Sequence, residues 1–264
     1  PMPKTREISL KELLSRGVEQ IIVRQTLEEL LRSRKKIRLY LGIDPTSPHI
    51  HLGHTIPLRK LRDFQRLGHQ GIFLIGNFTA LIGDTSDKDG MRPVMTQEEI
   101  EANFKSYKEQ ASKILDFSKI ELRYNSDWLS KLTFTEVVKL AQQFTVQQMI
   151  ERDMYQKRLE AGKPIGLHEF LYPLMQGYDS VAMDVDLEVG GTDQTFNMLA
   201  GRTLQRIYHQ KEKHVITTQL LIGTDGRKMA KTYGNVISLT DSSQDMFGKI
   251  MSMGDSQIIP YFTL

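Results

Sequence analysis

The sequence predicts an α/β protein: a Rossmann-like, doubly wound parallel sheet with a helical connective segment. Short apolar runs of strand length alternate along the chain with longer segments of helical periodicity, which is typical of a parallel sheet covered by helices on both faces. Polar or glycine-rich turns follow several of these runs, at the strand ends where such sheets bind ligands. With 264 residues, of which 39% are hydrophobic, the chain can bury a substantial core.

The composition narrows the class of protein. A net charge of +3 permits a nucleic-acid partner without requiring one. The sequence contains no cysteine, which excludes disulfides and cysteine-bound zinc, so we expect a reducing, cytoplasmic location. No apolar run approaches the roughly 20 residues that cross a bilayer. The amphipathic start of the chain is also unlike a secretory signal, and we expect no membrane partner.

We predict an N-terminal helical segment over residues 1–36, because apolar residues recur there at roughly helical intervals with an interruption near Gly17. The first buried strand follows at residues 37–43, where apolar side chains alternate with Arg38, Tyr40 and Gly42. This strand leads directly into the most informative turn of the chain.

That turn predicts a phosphate site. Helical spacing begins by Ile56, so His51 and His54 lie in or just before the first helical turn and share one face. The unpaired N–H groups and the dipole of a helix N-terminus favour an anion, and the two imidazoles add donors. Gly53 lets a nucleotide approach the backbone. A lone histidine is usually structural, whereas a pair between a strand and a helix is much more specific.

The next segments continue the alternation. A second buried strand at residues 71–76 runs into a polar loop, where Asp84 either contacts a ligand or serves only as a turn residue. We predict a helical insertion around residues 96–170. Its predicted elements are helices over 96–115, 133–143 and 146–161 and a short strand that begins at residue 120.

Polar side chains share one stripe of a later predicted helix. Tyr172, Gln176 and Asp179 are spaced i, i+4 and i+7, which places all three on the same side. Buried polar groups need partners. The stripe therefore forms either a wall of a polar ligand pocket or a purely structural network.

Two glycine-containing turns complete the candidate site. Gly190 and Gly191 end another strand and permit close approach of a ligand. The following Asp193 and Gln194 can form hydrogen bonds to a ribose or an ammonium group of that ligand.

Farther along the chain, Lys228 and Lys231 stand in a loop that contains several glycines. Two ammonium groups in such a loop suit a polyphosphate, although two solvated surface lysines would give the same pattern. The histidine pair elsewhere in the chain favours the phosphate interpretation.

Five motifs, in this order, resemble those of the bacterial tyrosyl-tRNA synthetases, a family of class I aminoacyl-tRNA synthetases. They are YLGIDPTSPHIHLGH, TALIGD, YPLMQGYD, GGTDQ and GRKMAKT, and HLGH and KMAKT are similar to the HIGH and KMSKS signatures. The resemblance implies a Rossmann-like catalytic domain over residues 37–240. Residues 241–264 resemble the start of a connection to a C-terminal anticodon-binding region, so we expect the chain to be truncated.

The resemblance also implies a role for each candidate residue. The hydroxyl of the substrate tyrosine would be held by Tyr40 and Asp179. The ammonium of the same substrate would be held by Asp84, Tyr172 and Gln176, and Gln194 completes the tyrosine-binding set. The catalytic residues around the phosphates would be Thr46, His51, His54, Lys228 and Lys231. The ATP-binding set would be Asp44, His51, Gly53, His54, Gly190, Asp193, Lys228, Met229 and Lys231.

The implied reaction is that of a tyrosine-tRNA ligase, which activates tyrosine with ATP and transfers it to tRNA(Tyr). ATP is the substrate, Mg²⁺ accompanies its phosphates without a metal site on the protein, and the implied assembly is a homodimer. The sequence departs from the family pattern in two motifs. Ala230 and Thr232 replace the serines of KMSKS while both lysines remain, and Glu188 stands where some members have glutamine, which marks a subgroup difference in the pocket lining.

Three alternatives compete with this interpretation. A tryptophan-specific synthetase shares the fold, but Tyr40 and Asp179 favour a phenol over an indole. A non-catalytic RNA-binding relative would be expected to lose charged catalytic groups, and none is lost. A generic nucleotidyltransferase with an HxGH site does not account for YPLMQGYD or GGTDQ.

Overall fold

A computed structural model describes residues 8–84, 95–227, 229 and 233–264, and these residues form one six-stranded sheet. The strands are β1 (Val18–Ile22), β2 (Arg38–Ile43), β3 (Gln70–Ile75), β4 (Glu121–Tyr124), β5 (Leu187–Gly191) and β6 (His214–Thr218). Their order across the sheet is β1-β6-β5-β2-β3-β4. Every neighbouring pair is parallel except β1 with β6. The predicted α/β, doubly wound sheet is confirmed for five strands, and an antiparallel strand extends one edge.

The parallel part of the sheet is wound in both directions from its middle. Strand β2 is followed outward by β3 and β4 on one side, and by β5 and β6 on the other. The strand order therefore reverses between β2 and β5, and in open α/β sheets this point leaves a crevice at the carboxyl ends of the strands. The register pairs Tyr40 of β2 with Glu188 of β5, which brings two polar side chains to this crevice.

The predicted N-terminal helical segment is wrong at residues 18–22, which form a strand. Helices α1 (Leu10–Leu13) and α2 (Arg24–Arg32) are present, but β1 lies between them. The apolar spacing of so short a run fits a strand as well as a helix. The exposed edge of β6 offers backbone groups that β1 satisfies, for example where Ile21 pairs with Ile216. The local spacing of apolar residues does not distinguish a strand from a helix here, and pairing with the distant strand β6 makes residues 18–22 a strand.

The remaining helices cover the sheet and build the segment between β3 and β5. They are α3 (Leu52–Arg66), α4 (Gln97–Ala111), α5 (Ser126–Leu129), α6 (Phe134–Ala141), α7 (Val146–Ile150), α8 (Asp153–Glu160), α9 (Leu171–Ala182), α10 (Thr195–His209), α11 (Ser243–Met251) and α12 (Ile258–Thr263). The predicted insertion at 96–170 includes β4 of the sheet as well as helices, and the division into domains stays a prediction. No helix in the described part of the chain is long and apolar enough to cross a bilayer.

Capping side chains set several helix starts, and one predicted helix is interrupted. Thr96 accepts from the Glu99 backbone N–H at 3.2 Å and Glu99 accepts from the Thr96 N–H at 2.9 Å, which forms a capping box at the start of α4. The single helix predicted over 146–161 is wrong at its centre, because Arg152 has an extended backbone between α7 and α8. Its guanidinium lies 4.7 Å from the centre of the Phe196 ring, a tertiary contact that local periodicity does not reveal.

Facing glycines bring α9 and α10 close together. A Cβ at Gly177 of α9 would lie 2.9 Å from Leu204 Cδ1 and 3.1 Å from the backbone nitrogen of Gly201, both on α10. A larger residue at this position would therefore force the helices apart. Because α9 carries the predicted polar stripe, this contact fixes the position of the stripe relative to α10.

Candidate active site

A cavity of about 370 Å³ lies at the carboxyl ends of β2 and β5, where the strand order reverses. Every predicted site residue that the structure describes lines this cavity: Tyr40, Asp44, Thr46, His51, Gly53, His54, Asp84, Tyr172, Gln176, Asp179, Gly190, Asp193, Gln194 and Met229. Lys228 and Lys231, also predicted, lie outside the described residues. Segments from most of the chain thus converge on one concave site, at the place where doubly wound sheets bind ligands.

The two histidines stand at the N-terminus of α3. His51 is the residue that precedes the helix, and its backbone N–H donates to Nδ1 of His54 at 3.2 Å. Because Nδ1 accepts this hydrogen bond, the neutral His54 ring carries its proton on Nε2. The two ring centres are 3.9 Å apart. A Cβ at Gly53 would lie 3.0 Å from Nδ1 of His51, so a side chain at position 53 would crowd this ring.

A short backbone pairing joins the histidine motif to the segment that follows the glycine-rich loop. The N–H of Leu52 donates to the carbonyl of Ile237 and the N–H of Leu239 donates to the carbonyl of Ile50, both at 2.9 Å. Met229 is buried against Ile56 and lines the cavity. The histidine motif is therefore held beside Met229 and residues 237–239, although these segments are distant in sequence.

Asp44 is the centre of a polar network at the end of β2. Its Oδ2 accepts from the Tyr172 hydroxyl at 2.8 Å and its Oδ1 accepts from the Thr79 hydroxyl at 2.7 Å. Its carbonyl accepts from the Thr46 N–H at 2.8 Å. Burial, reinforced by the charges of Asp44 and Asp84, raises the pKa of the Tyr172 phenol well above its usual value. Tyr172 therefore stays protonated and acts as a donor.

Asp179 lies deeper in the cavity and is only 2% exposed. Trp128 Nε1 donates to its Oδ1 at 2.8 Å, and Asn125 Nδ2 donates to its Oδ2 at 3.3 Å. Burial raises the pKa of this carboxyl group, and the two N–H donors oppose the rise. Asn125 also donates to the Thr79 hydroxyl at 3.0 Å, so the networks of Asp44 and Asp179 are continuous.

The other predicted groups line the cavity nearer β5. Gln194 Nε2 donates to Asp84 Oδ2 at 2.6 Å, which brings the IGD and GGTDQ turns into direct contact. Gln194 in turn accepts from Asn197 at 3.1 Å. A Cβ at Gly191 would lie 2.5 Å from Asp193 Oδ1, so glycine leaves the space that the Asp193 carboxylate occupies. These two turns form one polar wall.

Several contributors to the site are absent from the sequence prediction. Asn125 and Trp128 follow β4 at its carboxyl end, and Thr79 follows β3. Polar residues just after parallel strands are the signal that could have found them. Lys213 lies at the opposite end of β6, where no such rule applies, and only the buried environment of Glu188 points to it.

A parallel sheet whose strand order reverses at a polar crevice defines a doubly wound α/β protein. The family model described as "tRNA synthetases class I (W and Y)" matches residues 32–263, and the chain belongs to this family. It is 50% identical over 258 residues to the tyrosine–tRNA ligase of Carboxydothermus hydrogenoformans, covering 96% of this chain and 63% of that protein. The corresponding protein of Thermotoga maritima is 48% identical over 254 residues, with coverage of 96% and 63%. The chain thus spans a little under two thirds of these relatives.

Solved structures share the fold over most of the chain. The tyrosyl-tRNA synthetase of Archaeoglobus fulgidus, complexed with L-tyrosine, superposes with a TM-score of 0.75 and 28% identity over 92% of this chain and 73% of that one. A C-terminally truncated mitochondrial tyrosyl-tRNA synthetase of Coccidioides posadasii gives a TM-score of 0.73 and 26% identity, with coverage of 95% and 76%.

Proposed function

We propose that this chain carries the activity of a tyrosine–tRNA ligase. It activates tyrosine with ATP to give tyrosyl-adenylate and pyrophosphate, and then transfers tyrosine to the 3′-terminal ribose of tRNA(Tyr). The observation that carries the proposal is a single cavity lined both by Tyr40 with Asp179 and by His51 with His54. One end suits a phenol and the other suits phosphates. The named activity of the relatives supports the same assignment.

The phenol of the substrate is recognised by Asp179 and Tyr40. The Asp179 carboxylate accepts from the substrate hydroxyl, and the Tyr40 hydroxyl donates to it. Burial and the charge of Glu188 raise the pKa of the Tyr40 phenol, which keeps this group protonated. Phenylalanine would leave both buried groups without a partner, and tyrosyl-tRNA synthetases are themselves the standard example of such discrimination.

The ammonium of the substrate is recognised at the level of α9. Gln176 and Tyr172 lie one helical turn apart and both line the cavity, and Asp84 supplies a negative charge opposite them. Gln194, bonded to Asp84, completes this polar wall. The arrangement leaves the substrate carboxylate directed toward the histidines.

The activation step needs alignment and charge stabilisation rather than an enzyme nucleophile. A carboxylate oxygen of tyrosine attacks the α-phosphorus of ATP, a new O–P bond forms, and the bond to the bridging oxygen breaks to release pyrophosphate. The Nε2–H of His54 and the N-terminus of α3 stabilise charge on the phosphates. Gly53, Gly190 and Asp193 border the nucleotide. A role for Lys228 and Lys231 at the phosphates is proposed from the sequence alone.

In the transfer step a hydroxyl of the terminal tRNA ribose attacks the carbonyl carbon of tyrosyl-adenylate. The ester bond to tRNA forms, the bond to phosphate breaks, and AMP and the hydroxyl proton are released. The substrate carbonyl is already activated as a mixed anhydride, so correct placement of the ribose is the main requirement.

Magnesium enters as the ion that accompanies ATP. Among the described residues, no cluster of three or more histidine, aspartate or glutamate side chains is arranged to hold a metal. Magnesium in phosphate-transfer sites is commonly held by substrate phosphates and water with few protein ligands. In that arrangement the bound ion would offset phosphate charge.

We also propose a homodimer that forms through α6 and α10. Phe134 is 84% exposed, and Val138, Ile207 and Tyr208 are each more than 40% exposed. Helices α6, α9 and α10 share one buried cluster around Leu204, so α6 and α10 lie close together, and we propose that their exposed apolar residues form one face. An apolar face of this kind suits a second copy of the chain. The cysteine-free sequence supports activity in a reducing compartment such as the cytoplasm.

ATP–pyrophosphate exchange tests the proposal when tyrosine, tryptophan and phenylalanine are supplied separately. We expect exchange with tyrosine alone, because only its hydroxyl satisfies Asp179 and Tyr40. Exchange with tryptophan would overturn the substrate assignment. Absence of exchange from folded protein that binds tyrosine would overturn the activity and favour the non-catalytic relative.

A further inference from the structure

A buried ion pair lies behind the amino-acid end of the cavity. The side chains of Lys213 and Glu188 are 0% and 3% exposed. Lys213 Nζ donates to Glu188 Oε2, to the Ser180 hydroxyl at 2.8 Å and to the Met198 carbonyl at 3.1 Å. An ammonium has three N–H donors, so each of them has an acceptor. Burying a charge pair is costly even when it is fully bonded, so a role beyond packing is expected.

The backbone makes room for this ammonium at one glycine. A Cβ at Gly201 of α10 would overlap Lys213 Nζ and would lie 2.6 Å from the Ser180 hydroxyl oxygen. Alanine at this position would therefore displace the ammonium or Ser180. The buried position of Lys213 therefore requires glycine at residue 201.

The second oxygen of Glu188 faces the polar stripe of α9. Glu188 Oε1 accepts from Gln176 Nε2 at 3.1 Å, and both residues line the cavity. An ionised carboxylate can only accept hydrogen bonds, whereas the two ends of an amide differ. Glu188 therefore fixes the Gln176 amide with its nitrogen toward the sheet, and the carbonyl is the end that remains to accept from a ligand. A glutamine at position 188 could accept or donate, and would not set this orientation.

Lys213 holds Glu188 from the other side. Its ammonium donates to Oε2, which leaves Oε1 as the oxygen that accepts from Gln176. The same ammonium bonds Ser180, whose hydroxyl lies 3.0 Å from the Tyr40 hydroxyl. The pair thus contacts Gln176 directly and Tyr40 through Ser180, and both of these side chains are proposed to hold the substrate.

We propose that Glu188 and Lys213 are positioning residues that orient the Gln176 carbonyl toward the ammonium of the bound amino acid. The inference rests on the proposed function, because it concerns how tyrosine is held. It also gives a physical meaning to the glutamate at position 188: the carboxylate and the buried lysine form one unit, and each requires the other.

The test compares two ligands that differ only in the ammonium group, L-tyrosine and 3-(4-hydroxyphenyl)propanoate. Calorimetry gives both dissociation constants for the wild-type chain and for Glu188→Gln. We expect the preference for tyrosine over the analogue to fall roughly tenfold in Glu188→Gln, the scale of one hydrogen bond to a charged group. The analogue itself should bind both proteins about equally, because it lacks the group that Gln176 contacts.

A second buried ion pair provides the matched control. Arg158 and Glu169 are 1% and 0% exposed and lie away from the cavity lining. Glu169→Gln should reduce stability without changing the ratio of the two dissociation constants. This variant separates the loss of a buried charge from the loss of the amide orientation.

Several outcomes would overturn the inference. One is folded Glu188→Gln protein with an unchanged ratio, and another is equal weakening of both ligands. If Glu188→Gln does not fold, the double variant Glu188→Gln/Lys213→Met removes both charges together and should show the same fall in the ratio. Failure of the wild-type chain to bind tyrosine at all would instead contradict the proposed function.

Discussion

At the scale of single residues, Asp179 is enclosed by two N–H donors. Trp128 and Asn125 each bond one of its carboxylate oxygens, and this geometry requires that both oxygens accept. An asparagine at position 179 would turn an NH₂ group toward one of these donors or toward the substrate. Asp179→Asn should therefore lower kcat/KM for tyrosine by roughly 100-fold, the scale of a lost bond to a charged group.

Steady-state exchange kinetics check this prediction. The KM for ATP should stay unchanged, because Asp179 is proposed to contact the amino acid and not ATP. Asp127→Asn, an exposed neighbour on α5, is the matched control and should behave like the wild-type chain. Retention of full tyrosine activity in Asp179→Asn would show that the phenol is recognised elsewhere.

We propose that His54 acts on the phosphates of ATP through its Nε2–H. Replacing a donor that stabilises developing charge typically lowers kcat by about 100-fold or more, so His54→Asn should lose kcat for adenylate formation with little change in either KM. Single-turnover measurement of adenylate formation tests this directly. The exposed His49 serves as the control through His49→Asn. A change confined to KM would assign His54 to ground-state binding only.

Which site residues the sequence could predict depends on how local their signal is. The histidine pair, the Tyr172 stripe and the GGTDQ turn each lie within one short motif, and the cavity brings them together. Asn125 and Thr79 follow two different strands, and Lys213 directly precedes a third. Their roles exist only once the sheet order places β4, β3 and β6 around the same pocket, and a single sequence does not specify that order.

At the scale of elements, Lys60 links α3 to α1. Its ammonium donates to the Leu13 carbonyl at 2.5 Å, and burial lowers the pKa of Lys60 to about 8. In the unfolded chain a lysine pKa is about 10.4, so between these values the unfolded state binds more protons. The free energy of unfolding contributed by Lys60 therefore rises as pH increases from about 8 to about 10.4.

Lys60→Met removes this pH dependence. The stability of the wild-type chain relative to the variant should increase across that pH window, by at most about 3 kcal/mol. Reversible urea unfolding of both proteins at several pH values measures the difference between their free energies of unfolding. Groups that titrate in both proteins contribute equally to both and cancel in this difference. A difference that is flat or falls with pH would contradict the assigned burial of the ammonium.

The elements themselves were predictable where the pattern was long or capped. The start of α4 follows from its capping box, and β2 and β3 follow from their apolar runs. The strand β1 and the break between α7 and α8 were not predictable in this way. β1 forms because the edge of β6 accepts it, and Arg152 leaves the helical conformation beside the ring of Phe196, a residue far away in sequence.

At the scale of the whole molecule, the apolar face of α6 and α10 predicts the assembly. Placing charges in a desolvated interface opposes association, so Phe134→Asp/Ile207→Asp should convert a dimer of 30.4 kDa chains into monomers. Sedimentation equilibrium measures the mass. Phe262→Asp on α12 alters an equally exposed aromatic residue, 86% exposed, and should leave the dimer intact. A wild-type chain that sediments as a monomer would refute the proposed interface.

A crystal structure of the chain with bound L-tyrosine would show whether the cavity at the carboxyl ends of β2 and β5 holds tyrosine in one orientation. The predicted complex has the phenol hydroxyl within hydrogen-bond distance of Asp179 and Tyr40, the ammonium at Gln176, and the carboxylate directed toward His51 and His54. Tyrosine bound outside this cavity, or bound with its phenol toward the histidines, would contradict the claim.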